Sequence, residues 1–346
     1  MKALVYHGKE DMRVESVPDP TPRDARSALV KVERAAICGS DLHLYHGDMP
    51  VPPGLVVGHE FVGEVMETGS DVANVRVGDH VLVSGVIGCG QCKRCVRGEV
   101  VRCERKQTQV FGVGPDLPGG QAEAVAVPGA DHAIRPIPEG VSVEQAVLLT
   151  DILPTGYFGA RNADIEPGDT VVVIGAGPVG LLALLSAQLF GAARILVVDR
   201  VPERLALAKE LGGIPVPAAE ADATIAELTN EQGADRVIEA VGSDATILKA
   251  IDWVRPAGTV SVIGVNTSPS VPFPMVLALM KDLTFRIGLV PVPELWPALI
   301  PLVASGRLQP ERVFTHRMGL SEGAEAYRLF SAREDGILKV LLDPSR

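Results

Sequence analysis

The stretch from Thr170 to Ala193 leaves this chain few options. Residues 171–193 contain no charged side chain, a length sufficient in principle for a membrane span. Yet Gly175, Gly177, Pro178 and Gly180 interrupt its first half, and residues 171–174 are β-branched throughout. The pattern therefore predicts a strand that turns sharply into an apolar helix over 179–190, then a second strand over 195–198 ending in Asp199. Gly175, Gly177 and Gly180 form a G-x-G-x-x-G turn, with Pro178 and Val179 inside it. Such glycines let the backbone turn tightly and approach a pyrophosphate, while the helix N-terminus offers unpaired N–H groups to the phosphates. Asp199 falls where an acid can accept hydrogen bonds from the adenosine ribose, which completes a dinucleotide-binding fingerprint. A carboxylate there repels a 2′-phosphate, so NAD is expected over NADP. Arg200, next to it, is either a phosphate contact that would weaken this preference or a solvated surface charge.

Short apolar runs at 236–240, 259–264 and 283–288 continue the pattern, separated by helical stretches near 202–211, 221–231 and 244–254. Strand and helix alternate at the βαβ period, implying an α/β, doubly wound parallel sheet over residues 152–290. Residues 1–151 read differently. Val-rich alternating runs such as 28–32 and 78–83, broken by Pro and Gly, predict twisted β structure with irregular loops. After residue 290, helical patterns at 294–305 and 321–331 precede an apolar strand at 337–342, which is expected to return to the first domain.

All five cysteines fall into two groups. Cys89, Cys92, Cys95 and Cys103 form a C-x2-C-x2-C-x7-C run, and Cys38 stands apart, upstream of His59. Four thiolates on one loop can close a tetrahedral shell around zinc, leaving no position for substrate, so this run is expected to be structural. Two disulfides are the alternative. Residues 1–15 lack the apolar stretch of a secretory signal, so a cytoplasmic, reducing setting and hence metal are expected. Cys38 with a histidine and a carboxylate supplies only three ligands and leaves a fourth position for water or substrate; alone, it would read as a buried core thiol. The formal net charge of −11, with no basic run, argues against a nucleic-acid partner.

Taken together, these segments resemble the zinc-dependent medium-chain alcohol dehydrogenases over nearly the whole chain. Gly58-His59-Glu60-Phe-Val-Gly63, followed by Gly69 and Val72, is similar to the family's zinc signature. Cys38-Gly-Ser40-Asp41-Leu-His43 resembles its first-ligand loop, and the four-cysteine run its structural zinc lobe. The resemblance implies a mainly β GroES-like catalytic domain from residues 1–151 and 291–346, a Rossmann domain over 152–290, a cleft between them, and two zinc ions per subunit. It implies Cys38 and His59 as the first two catalytic zinc ligands. Asp151 stands where the family commonly has a cysteine, as in the bacterial secondary-alcohol and formaldehyde dehydrogenase branches. Glu60 resembles a glutamate that binds the metal transiently; an acid that never ligates is the alternative.

On the same basis zinc is implied to make the substrate hydroxyl more acidic while hydride passes to the nicotinamide. The resemblance implies that Ser40 takes the substrate proton, that His43 relays it toward solvent, a plain surface histidine being the alternative, and that Asp41 holds the ligand histidine in the correct tautomer. Thr155 matches the residue packed on the nicotinamide, and Arg204 one reaching the ribose. Val241, Ile263, Gly264 and Val265, at the ends of later strands, are carried over as cofactor contacts. Lys339 is expected near the pyrophosphate, with a structural salt bridge as its alternative. Tyr45, Trp296 and Phe273 are candidate pocket walls or core residues.

The resemblance implies a primary or secondary alcohol as substrate, with carbonyl reduction as the reverse reaction. Polyol, threonine or formaldehyde dehydrogenase chemistry would use the same machinery. A regulator that binds nucleotide and metal without turnover would have no need of an open zinc site joined to a proton relay. The apolar edge near 283–290 resembles that of family members that form tetramers, with dimers as the alternative. No membrane partner is expected.

Overall fold

The computed structural model describes residues 1–346, and the chain divides into two compact units, Met1–Pro154 with Val290–Arg346, and Thr155–Leu289. The first is built on β-sheets. Val30 and Val32 point into the core while Lys31 between them faces solvent, the period-2 alternation of a half-buried strand. Strand Ala28–Ala36 pairs antiparallel with Glu60–Thr68 on one side and Val340–Asp343 on the other. The full sheet runs Ile134–Pro136, His80–Val83, Glu60–Thr68, Ala28–Ala36, Val340–Asp343, His316–Gly319, with Ala124–Val127 also pairing to Ala28–Ala36. The C-terminal strand therefore does return to the first unit, its Leu341 opposite Ala36. Helix Gly323–Ala332 adds Tyr327 and Phe330 to the core formed by Leu4, Phe61, Phe111 and their neighbours.

The second unit is a parallel sheet in the order Ile214–Pro217, Arg194–Asp199, Thr170–Ile174, Ala234–Glu239, Val254–Val262, Thr284–Ile287. This is the 3-2-1-4-5-6 order of a doubly wound dinucleotide-binding fold, with the crossover next to the first strand. Strand Thr170–Ile174 is buried along its whole length, as its β-branched run requires. Helix Pro178–Leu189 follows at once, Pro178 standing at the first helical position, where its missing N–H costs nothing. The charge-free stretch is thus strand, turn and helix, and no helix is long and apolar enough to cross a membrane.

Two elements escape the sequence pattern. Strand Ile214–Pro217 holds two prolines, which disqualify a central strand but are tolerated here because the strand lies at the sheet edge. Helix Ile152–Asn162 contains Pro154 and two glycines, poor helix formers that mask it.

Candidate metal and nucleotide sites

Three chain segments end at one point in the first unit. Cys38 follows strand Ala28–Ala36, His59 precedes strand Glu60–Thr68, and Asp151 precedes helix Ile152–Asn162. The ligand atoms of Cys38, His59, Glu60 and Asp151 lie within 4.8 Å of one another. Cys38 Sγ stands 3.7 Å from Asp151 Oδ2, and His59 Nε2 stands 3.5 Å from the same oxygen. A tetrahedron with metal bonds of 2.0–2.3 Å has edges of about 3.3–3.8 Å, so the sulfur and the nitrogen each stand from the Asp151 oxygen as two ligands of one zinc ion would. The electrostatics agree. Burial disfavours a charged imidazole at His59, yet Asp41, Cys38 and Asp151 outweigh it and hold the group well above its ordinary value. Burial pushes the Cys38 thiol up, as does Glu60, with His59 opposing. Burial would also raise Asp151, but its hydrogen bond to His59 wins and holds it low. The Asp41 and Asp151 carboxylates beside His59 favour positive charge there, from a proton or a metal.

Around these donors the structure places the other residues that the resemblance names, one of them away from its expected position. Ser40 Oγ is 3.2 Å from Cys38 Sγ and 3.4 Å from His59 Nε2. Asp41, 1% exposed, accepts the Cys38 N–H on Oδ2 at 2.9 Å and presents Oδ1 to His59 Nδ1 at 3.2 Å. His43, partly exposed, lies along helix Asp41–Tyr45 with Nδ1 3.4 Å from Asp48. Lys339 is the correction. Its side chain is 0% exposed, and Nζ reaches both Glu60 oxygens, at 2.7 and 2.6 Å, and the Ile37 carbonyl at 2.8 Å. It is the buried counter-ion of Glu60 rather than a cation offered to a pyrophosphate. Trp296 is core, its Nε1 donating to the Leu149 carbonyl, Tyr45 packs on Tyr327, and Phe273 on Phe285.

The four-cysteine loop forms a second donor set. Cys89 and Cys95 sulfurs are 3.9 Å apart, near the edge of about 3.8 Å for a tetrathiolate zinc. Cys92 caps the short helix Lys93–Val96, and the N–H of Cys95 lowers its thiol to about 6. Burial opposes ionisation of Cys103, but N–H groups of Cys89, Gln107 and Arg105 prevail and lower it. Such thiols give up their protons readily to a metal. All five cysteines are free of disulfides.

In the second unit, the strand-to-helix turn is tight enough to exclude side chains. A Cβ on Gly180 would lie 1.8 Å from the Gly175 carbonyl oxygen. Asp199 Oδ2 accepts the Ala176 N–H at 2.6 Å, and Oδ1 accepts the N–H groups of Arg200 and Val201 at 2.7 and 2.9 Å. Arg204 reaches toward Gly177, whose Cβ would lie 3.9 Å from Nη1, while Arg200 is exposed. Val241, Ile263, Gly264 and Val265 follow the C-terminal ends of neighbouring strands, where open parallel sheets bind ligands. Thr155 is partly exposed on helix Ile152–Asn162.

Three residues absent from the sequence reading shape these sites. Glu239, fully buried at a strand end, accepts the Val241 and Gly242 N–H groups at 2.9 Å each, and burial pushes its carboxyl up. Gln121 and Tyr327 stand behind Asp41. An acid closing an apolar strand was a usable signal for Glu239. Gln121 and Tyr327 meet only in three dimensions.

Two family models match the chain: "Alcohol dehydrogenase GroES-like domain" over residues 24–139 and "Zinc-binding dehydrogenase" over residues 178–305. The "Probable zinc-binding alcohol dehydrogenase" of Mycobacterium tuberculosis is 45% identical over 344 residues, covering 99% of this chain and 89% of the relative. Among solved structures, an alcohol dehydrogenase from Thermus sp. ATN1 superposes with a TM-score of 0.93 at 46% identity over 99% of each chain. A structure described as a "putative zinc-binding dehydrogenase" from Sinorhizobium meliloti 1021, bound to NADP, superposes with a TM-score of 0.86 at 29% identity, again over 99% of each chain.

The Glu60–Lys339 pair generates a prediction. Lys339→Met strands a buried carboxylate and should cost about 3–5 kcal/mol near neutral pH. Burial already pushes Glu60 up, and loss of Lys339 pushes it further. A raised acid contributes stability fully below its unfolded value of about 4.3 and loses it as pH climbs through the folded value. Denaturant midpoints should therefore show a smaller deficit at pH 5 than at pH 8; equal deficits would contradict the pairing.

Proposed function

We infer the activity from one premise: this chain belongs to the zinc-dependent medium-chain alcohol dehydrogenase family. It is an oxidoreductase that interconverts alcohols and carbonyl compounds with a nicotinamide nucleotide. The finer reading is an enzyme for primary or secondary alcohols that carries two zinc ions and prefers NAD. The observation that carries it is the convergence of Cys38, His59 and Asp151, whose sulfur and imidazole nitrogen stand 3.7 and 3.5 Å from one Asp151 oxygen and whose ligand atoms all lie within 4.8 Å of one another. Three such ligands leave tetrahedral zinc one position for substrate. When bound there, zinc would lower the pKa of the substrate hydroxyl.

The remaining work falls to the chain's own side chains. Ser40, whose hydroxyl stands against both Cys38 and His59, takes the substrate proton, and His43 passes it to solvent. Asp41 holds the His59 tautomer. Glu60, faced by Lys339 on both oxygens, acts as a neighbouring acid rather than a permanent ligand. Cys89, Cys92, Cys95 and Cys103 hold the structural zinc. Gly175, Gly177 and Gly180 with the helix start receive the pyrophosphate. Asp199, tied down by three backbone N–H groups, meets the ribose and disfavours a 2′-phosphate. Arg204 adds a ribose contact, and Thr155 packs on the nicotinamide. A cytoplasmic setting suits this many reduced thiols.

Turnover checks this directly. Zinc-loaded protein given a panel of primary and secondary alcohols, diols and threonine should produce NADH faster than NADPH, and a strong chelator should stop it. Chelator-resistant turnover would refute the metal assignment, and faster NADPH production the role of Asp199.

We read the assembly as a homotetramer, with a homodimer as the alternative. Met275, Val276, Leu279 and Met280 are 69–78% exposed on one short helix, and Ile287 and Leu289 are exposed at the neighbouring edge strand Thr284–Ile287. Apolar side chains beside an unpaired sheet edge favour association. Light scattering should give four times the 36.5 kDa chain mass; a single chain mass would refute association.

A further inference from the structure

Behind Asp41 lies a buried polar chain that metal ligation does not by itself require. Gln121 is 0% exposed, and so is Tyr327. The Gln121 Nε2 donates to the Ala36 carbonyl at 3.0 Å and to Asp41 Oδ2 at 3.4 Å, while its Oε1 accepts the Tyr327 hydroxyl at 3.0 Å. The partners fix the amide's direction. Its nitrogen faces two acceptors and its oxygen a donor, and a flipped amide would set acceptors against acceptors. Burial pushes the Tyr327 phenol well above its ordinary value, so it remains a donor. Asp41 Oδ2 thus receives two N–H groups, from Cys38 and Gln121. Oδ1 is left facing His59 Nδ1 in an ion-pair contact at 3.2 Å, and neither of these buried atoms makes a hydrogen bond elsewhere.

The backbone is shaped around the same amide. Gly58, next to His59, has φ of +97°, and a Cβ there would lie 2.3 Å from Gln121 Cγ. The Gly120 N–H donates to the Gly58 carbonyl at 2.8 Å and the Gln121 N–H to the Val57 carbonyl at 3.0 Å. The segment that carries Gln121 is therefore zipped onto the segment that carries His59. A purely space-filling residue would not need a glycine to lie against, nor three polar partners in the core.

We propose that Gln121 and Tyr327 are positioning residues of the metal centre, which hold the Asp41 carboxylate so that His59 keeps its proton on Nδ1 and aims Nε2 at the ion. This rests on the reading of Cys38, His59 and Asp151 as zinc ligands. Outer partners of a ligating histidine are typically worth about 10–100-fold in metal affinity or activity. Tyr327 comes from helix Gly323–Ala332, near the C-terminus. A C-terminal helix thus reaches the Asp41 carboxylate through Gln121.

The test compares zinc release to a colorimetric chelator from the wild-type protein, Tyr327→Phe and Gln121→Met, with cobalt-substituted absorption spectra of each. The four-cysteine zinc is the internal reference. Each variant should lose one of its two zinc ions about 10-fold faster, keep the other at the wild-type rate, and show altered cobalt bands. Unchanged release and spectra would overturn the proposal. So would equal acceleration of both ions in step with a lower melting temperature, the mark of a purely structural role. A wild-type protein that holds metal only at the four cysteines would fail the metal-site reading itself, and would be recognised as such before any variant is compared.

Discussion

Cys38, His59, Glu60 and Asp151 bring four ionisable side chains within 4.8 Å of one another in a buried setting. A protein interior tolerates such a cluster only around compensating positive charge, because isolated buried charges cost several kcal/mol each. Lys339 supplies one cation from the C-terminal segment, its Nζ held by Glu60 and the Ile37 carbonyl. The spacing of the other three donors suits a zinc ion. The first unit can be understood as the scaffold for that balance. Strand Ala28–Ala36 delivers Cys38, its neighbour Glu60–Thr68 delivers His59, and the returning strand Val340–Asp343 anchors the segment that carries Lys339.

The second unit solves a different problem, the binding of a dianionic pyrophosphate without a cluster of basic side chains. It does so with backbone. The close approach of Gly180 to Gly175 starts helix Pro178–Leu189 directly from the strand, and a helix start of this kind offers unpaired N–H groups to an anion. Asp199 spends both carboxylate oxygens, and Glu239 its Oε1, on nearby N–H groups, fixing the turns that follow their strands. Such turns bind through shape and dipoles, which explains how a chain with a net charge of −11 can serve an anionic cofactor.

What was legible in the sequence follows sequence distance. The four cysteines lie within fifteen residues of one another, and the strand, glycine turn, helix and Asp199 within thirty, so spacing alone suggests their geometry. Asp151 was reached only through family resemblance, since an aspartate before a helix has no signature of its own. For Lys339 the resemblance favoured the pyrophosphate, and the structure takes the alternative, a salt bridge, with a partner, Glu60, 279 residues away that no local pattern could name. Gln121 and Tyr327, 206 residues apart, carry no mutual signal either. Strand Ile214–Pro217 was hidden for a local reason: its prolines argue against any strand until the sheet order shows it to be an edge.

Two donor sets of different chemistry should hold two metal ions. Anomalous diffraction from zinc-loaded crystals, collected on both sides of the zinc edge, should give two peaks per chain, one among Cys89, Cys92, Cys95 and Cys103 and one among Cys38, His59 and Asp151. A single peak at the four cysteines would mean that the His59 cluster is closed by a proton and is no metal centre.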